Sequence, residues 1–209
     1  MKFVRFANGD GAAYGVVDGD TVKEISNSPI GQDYSETGAT HDLNEIKILA
    51  PNPNPSKMLC LALNYGSHLL GADRPTRPQP FYKNTNAIIG PGDAIKLPPD
   101  AGLVVCESEL IAIIGKEASK VSEADALDYV FGYTAGNDVS AREWQSGANA
   151  DIQWWRAKSS DTFAPTGPFM VTDIDPQNVD IRGLVNGVEG QKCHSSEMIF
   201  TTAQAISFL

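Results

Sequence analysis

Short runs of apolar residues, each closed by a turn signal, follow one another along most of this chain. KFVRF at 2–6 reads as a short strand, and VVDGDTV at 16–22 sets an Asp-Gly turn between two β-branched runs, the pattern of a hairpin. Residues 26–45 are polar and without periodicity, and APNPNPS at 50–56 is a stiff, proline-rich connector. KMLCLAL (57–63) predicts a buried strand, and NYGSHLLGADRPTRPQP (64–80) a loop with at most one helical turn. A PGD turn at 91–93 leads into an expected strand at 94–97, and Ser122 with Asp125 is expected to cap a helix over SEADALDYV. FGYTAGND (131–138) and FMVTDI (169–174) read as strands, IRGLVNGVEGQ (181–191) as an Asn-Gly hairpin, and TTAQAISFL (201–209) as a helix capped by Thr201 or Thr202. Strands outnumber helices and mostly succeed one another. That favours an antiparallel-rich α+β fold or an all-β roll over a doubly wound sheet. The connector divides the expectation into a small β module at 1–50 and a larger domain at 51–209.

One run breaks the pattern. LVVCESELIAIIG, residues 103–115, is apolar on both faces of an expected strand yet carries Glu107 and Glu109 in its middle. Side chains two apart share a face, roughly 6–7 Å from each other along the backbone. Two buried, unpaired carboxylates would repel each other and lose their hydration. Either a positive charge sits between them, or the strand lies at an edge and the pair faces solvent.

Composition narrows the partners. The chain has 209 residues, is 42% hydrophobic and carries a formal net charge of −10. It is long enough for a sizeable core, and its charge argues against nucleic acid or an anionic membrane surface. No segment approaches the roughly 18 apolar residues of a membrane span, and MKFVRFANGDG at 1–11 has no apolar stretch of signal-peptide type. Cys60, Cys106 and Cys193 are odd in number and not in metal-ligand spacing. A cytoplasmic, reducing setting is expected. The chain closes on Ile-Ser-Phe-Leu, apolar helix residues without a polar tail, and this leads to the expectation of a fragment.

Candidate chemistry gathers around the glutamates. Asp138 ends a predicted strand in GNDVSAR, Lys158 lies in RAKSSDTF and His68 in NYGSH. Three carboxylates with no cysteine or clustered histidine suit a hard cation such as Mg²⁺, Mn²⁺ or Ca²⁺. The order NY-x-x-H, P-x-x-F-x-K, GPGD, E-x-EL-x-x-IIGK, A-x-DYV-x-GY-x-x-x-NDVSAR, KS-x-DTF, P-x-GP and VNG resembles the fumarylacetoacetate hydrolase family from about residue 57 onward.

That resemblance implies a mixed β-sandwich roll, a homodimer and a Mg²⁺ or Mn²⁺ ion at one carboxylate cluster. It implies Glu107, Glu109 and Asp138 as metal ligands and Lys158 as a charge beside a developing enolate or oxyanion. Arg142 and Gln145 would grip the substrate, Lys83 would stand at the mouth of the site, and His68 would be the catalytic histidine. Trp144, Trp154 and Trp155 flank these motifs, and packing is their expected work. Hydrolytic members place a glutamate three residues after the histidine; here that residue is Gly71, with Asp73 two further on. The family's later strands, with a Gly-Thr-Pro-type loop, would follow beyond Leu209. The implied activity is hydrolysis of a C–C bond in a small β-diketo acid such as an acylpyruvate. Oxaloacetate decarboxylation and keto–enol isomerisation are the alternatives, followed by a non-catalytic relative that keeps the fold.

Overall fold

The computed structural model describes residues 1–69, 71 and 73–209, and its organising element is one eight-stranded sheet. Four strands open the chain as an antiparallel meander: β1 (Lys2–Asn8), β2 (Gly11–Asp18), β3 (Thr21–Ile25) and β4 (Glu36–Asp42). Asn8 faces Gly11 and Asp18 faces Thr21, so both first hairpins turn on two residues. Gly9 and Gly19 take those turns at φ +56° and +62°, a region that costs glycine nothing. β4 replaces the irregular segment expected at 26–45. Every residue of it but His41 is exposed, so it has no apolar face for a periodicity to reveal. Its ladder to β3 holds it instead.

The remaining strands are β5 (Met58–Ala62), β6 (Gln79–Lys83), β7 (Ile88–Ile89), β8 (Val104–Val105), β9 (Ser108–Ile114), β10 (Val130–Asn137), β11 (Ser140–Ala141), β12 (Ala164–Val171), β13 (Asp180–Val185) and β14 (Val188–His194). Two short helices complete the set, α1 (Trp155–Ser159) and α2 (Thr202–Phe208). The large sheet runs β4-β3-β2-β1-β12-β10-β9, with β7 lying parallel to β12. It ends on β4 and β9 and does not close on itself. β1 pairs with β12 through Phe3↔Met170, and Phe3, Ile25, Ile113 and Met170 form one buried cluster. Sheet and core therefore both cross the expected boundary near residue 50.

Three further elements differ from expectation. Residues 94–97 form no strand, and the helix over SEADALDYV shrinks to one 3-10 turn, Ala126–Tyr129. Ser122 still hydrogen-bonds the Asp125 backbone and carboxylate, but as a local turn. The 103–115 run is not one strand but β8 and β9. Val105 faces Ser140 and Ser108 faces Asn137, so the register is kept across Cys106 and Glu107 while the ladder lapses there. The Asn137 side chain accepts the Glu107 N–H at 3.1 Å, and the Glu107 carbonyl accepts the Asp138 N–H at 2.8 Å. β9 is the last strand of the sheet and only half-buried, with Ile113 alone fully inside. The two-faced apolar run thus belongs to an edge strand. The hairpin at Asn186-Gly187 and the Thr201 cap on α2 are as expected.

Candidate active site

Lys158 is the centre of the site. α1 carries it to the floor of a cleft, where its side chain is 4% exposed. The three N–H donors of Nζ meet three oxygens: Glu107 Oε2 at 2.7 Å, Asp138 Oδ2 at 2.5 Å and Ser140 Oγ at 2.6 Å. The Phe81 ring lies 5.0 Å away on another side. β6 brings Lys83 not to the mouth, as expected, but to the buried floor, because it bonds the opposite oxygen of Asp138 at 2.6 Å and Val139 O at 3.3 Å. Arg142 reaches Glu107 Oε1 at 2.5 Å and Gln145 Oε1 at 3.1 Å.

These contacts shift the ionisable groups in ways the geometry explains. Burial alone would raise the Glu107 carboxyl, but Lys158, then Arg142 and Ser140, outweigh it and hold it below the usual range. Lys83 moves down because burial disfavours its charge more than Asp138 restores it. Glu109 is pushed up to about 8, first by burial and then by the neighbouring charges of Asp138 and Glu107. Lys158 and Lys83 oppose that rise without cancelling it. Gly136, across the ladder from Glu109, contributes no side chain to pair with it.

The cleft, about 1340 Å³, is lined by all eight residues singled out in the sequence: His68, Lys83, Glu107, Glu109, Asp138, Arg142, Gln145 and Lys158. His68 ends the 3-10 turn Gly66–His68 on its rim and stays exposed, its ring 6.2 Å from that of Tyr65. Gly71 sits at φ +90° with nothing within 4 Å of where a Cβ would stand. Leu70, between them in sequence, lies outside the described residues. Trp144 is core, at 4% exposed, while Trp154 lines the cleft and Trp155 is exposed.

Ser140 is the residue that sequence reasoning missed. It is fully buried and touches Lys158, the Glu107 carboxylate at 3.1 Å and the Asp138 carbonyl at 2.9 Å. The available signal was periodicity: Asp138, Ser140 and Arg142 follow at intervals of two, the spacing of one strand face.

Among the described residues no three of His, Cys, Asp and Glu stand arranged as a finished metal cage. Instead, Glu107 and Asp138 turn their oxygens to Lys158. The donor set nevertheless fits a hard divalent cation, since it is all carboxylate and Glu109 lines the same cleft with no cationic side chain at hydrogen-bond distance among the described residues.

Residues 57–209 match the description "Fumarylacetoacetate (FAA) hydrolase C-terminal", and residues 1–51 match "Rv2993c-like, N-terminal". The chain belongs to the fumarylacetoacetate hydrolase family. A 5-carboxymethyl-2-hydroxymuconate delta-isomerase from Mycobacterium smegmatis superposes with a TM-score of 0.90 at 38% identity, over 99% of this chain and 81% of that one. An oxaloacetate tautomerase of Xenopus laevis, mitochondrial by name, is 41% identical over 79% of this chain and 53% of its own length. This chain thus spans about half of that relative. A maleylpyruvate hydrolase from Sphingobium, solved with manganese(II) and pyruvate, superposes with a TM-score of 0.78 at 28% identity, over 99% of this chain and 81% of that one. This is an enzyme family acting on small keto acids, and its fold here is strand-rich with few helices. Among the described residues no helix is long and apolar enough to cross a membrane.

Proposed function

We propose that this chain catalyses enolisation of a small α-keto or β-diketo acid, as a keto–enol tautomerase or isomerase. The observation that carries the reading is the fully engaged Lys158 ammonium, buried between Glu107 and Asp138 at the floor of the cleft. Glu107, Glu109 and Asp138 would hold a Mg²⁺ or Mn²⁺ ion, which when bound supplies Lewis-acid polarisation of a keto oxygen. Lys158 sits where negative charge on an enolate oxygen would be stabilised, in a site too buried for water to screen it. Arg142 and Gln145, hydrogen-bonded to each other on the cleft wall, would orient the substrate carboxylate. Lys83 fixes Asp138 from below. Keto–enol exchange moves one proton from carbon to oxygen and consumes no water. His68, on the rim, is the candidate to carry that proton.

Glu107 and Asp138 pair with three cationic side chains, Lys83, Arg142 and Lys158, and Glu109 brings the carboxylates of the cluster to the same number. A divalent ion would therefore leave an excess of positive charge, which favours an anionic substrate. Names among the relatives supply the reaction classes, tautomerase and isomerase.

Hydrolysis of an acylpyruvate is the second reading, supported by the maleylpyruvate hydrolase neighbour. It needs a positioned base for water, and Gly71 stands where hydrolytic members carry the glutamate that orients the histidine. We infer a homodimer from the family resemblance alone, and a catalytic domain at 51–209 that shares its sheet and core with a β module at 1–50.

The deciding experiment follows oxaloacetate and an acylpyruvate by NMR in deuterated buffer with Mg²⁺. Deuterium entering the carbon beside the keto group, without cleavage, is the expected result. Pyruvate plus a free acid from the acylpyruvate would move the reading to hydrolase. Neither exchange nor cleavage, with the ion demonstrably bound, would leave a binding protein of the same fold.

A further inference from the structure

We infer that Lys158 is an internal competitor for the divalent cation, so that ion binding is what frees its N–H groups for substrate. The inference rests on the metal reading of the carboxylate cluster. An ammonium has three donors, and those of Lys158 are spent on Glu107 Oε2, Asp138 Oδ2 and Ser140 Oγ. None is left to meet an enolate oxygen. The side chain is 4% exposed and enclosed by Phe81, so water cannot replace a lost partner cheaply. Yet two of its three partners are oxygens that a hard cation on this cluster would itself require.

The other charges cannot take over the role. Lys83 is committed to the far oxygen of Asp138 and to the Val139 carbonyl, and Arg142 to the far oxygen of Glu107. Each leaves the oxygen facing Lys158 untouched. Glu109, with no cationic partner at hydrogen-bond distance among the described residues, is the one carboxylate of the three that the cluster leaves open. The geometry therefore divides the work. Glu109 receives the ion first, Glu107 and Asp138 exchange Lys158 for it, and the displaced ammonium keeps Ser140 as its anchor beside the cleft. Like-charge repulsion between ion and ammonium drives the exchange. Substrate anions would then bind strongly only after the ion, although the ion does not need the substrate.

The test is calorimetric binding of Mn²⁺ alone to the folded chain and to Lys158→Met, which removes the charge and nearly keeps the length. Competition predicts that Lys158→Met binds Mn²⁺ at least about tenfold tighter. Equal or weaker binding by a variant with unchanged circular dichroism overturns the inference while leaving the metal site in place. No Mn²⁺ binding by either protein overturns the metal reading itself, and the inference with it. A second measurement needs no variant: the ¹⁵N signal of the Lys158 ammonium is recorded with and without Mg²⁺. The expected change is a shifted signal with faster proton exchange, and an unmoved signal counts against displacement. Oxalate added to the parent protein should bind at least tenfold more weakly without Mg²⁺ than with it; equal binding would overturn the release of Lys158 by the ion.

Discussion

Lys83 and Asp138 meet at 2.6 Å with both side chains nine-tenths or more buried, and β6 and the end of β10 are thereby tied across the cleft floor. Removing one partner of a buried pair strands the other charge, which typically costs 3–5 kcal/mol. Asp138 keeps Lys158, so the loss should fall at the low end. Lys83→Met is expected to lower unfolding free energy by about 3 kcal/mol, read from urea denaturation. Lys83→Met together with Asp138→Asn should recover part of that loss, because the uncompensated charge is gone. If the double variant is less stable than the single one by a further full increment, the two side chains are not coupled.

Gly71 gives a prediction that separates backbone from chemistry. Its φ of +90° is one that side chains rarely adopt, though there is open space around it. Gly71→Ala should therefore destabilise the loop by about 1–2 kcal/mol without touching any neighbour. Gly71→Glu carries the same cost and adds a carboxylate near His68. Acylpyruvate cleavage by Gly71→Glu is expected to exceed that by Gly71→Ala several-fold, while enolisation of oxaloacetate stays equal between the two. A positioned base contributes about 10²–10⁴-fold, and orientation recovers part of it. Equal cleavage rates would remove the histidine from the hydrolytic reading.

How legible this was depends on what each residue contacts. The Asn186-Gly187 hairpin followed from local chemistry, because both residues take positive φ, at +53° and +80°, and the pair Asn-Gly favours that turn. The site residues were legible through ordered motifs, and the cleft brings all of them to one place. β4 was not legible, since an exposed edge strand is held by backbone ladders that leave no mark on side-chain pattern. The lapse at Glu107 was hidden as well: it depends on the Asn137 side chain thirty residues away, not on anything within the run. Ser140 escaped because a small buried serine looks like filler until its three partners are seen.

The thiols should differ in reactivity. Cys60 on β5 is pushed up to about 12, chiefly by burial and then by the Asp138 charge, whereas Cys106 is exposed. The thiolate is the reactive form. Only about one Cys60 in ten thousand would be ionised at pH 8, given ten-fold per pH unit. Iodoacetamide at pH 8 is expected to alkylate Cys106 within the time that leaves Cys60 unmodified, by peptide mass mapping. Comparable labelling of both in the native protein would mean that β5 opens readily.

The last prediction concerns two glycines of β10. A Cβ on Gly132 would stand 2.8 Å from the Val171 carbonyl oxygen, a backbone atom of the neighbouring β12. A Cβ on Gly136 would meet the Ile111 Cδ1 at 2.3 Å and its Cγ1 at 2.9 Å, which is closer but is side chain rather than backbone and can rotate. Backbone cannot yield without parting β10 from β12, whereas Ile111 lines the cleft and has room to turn. Overpacking of this kind costs about 1–3 kcal/mol. Gly132→Ala should therefore lie near the upper figure and Gly136→Ala near the lower, although the raw distances rank them the other way. Gly136→Ala carries a second signature, because the displaced Ile111 moves into the cleft beside Glu109: affinity for oxalate in the presence of Mg²⁺ should fall several-fold, while Gly132→Ala leaves it unchanged. Thermal melts and calorimetry of the two variants check both halves, and a larger stability loss for Gly136→Ala would show that Ile111 is locked in its rotamer.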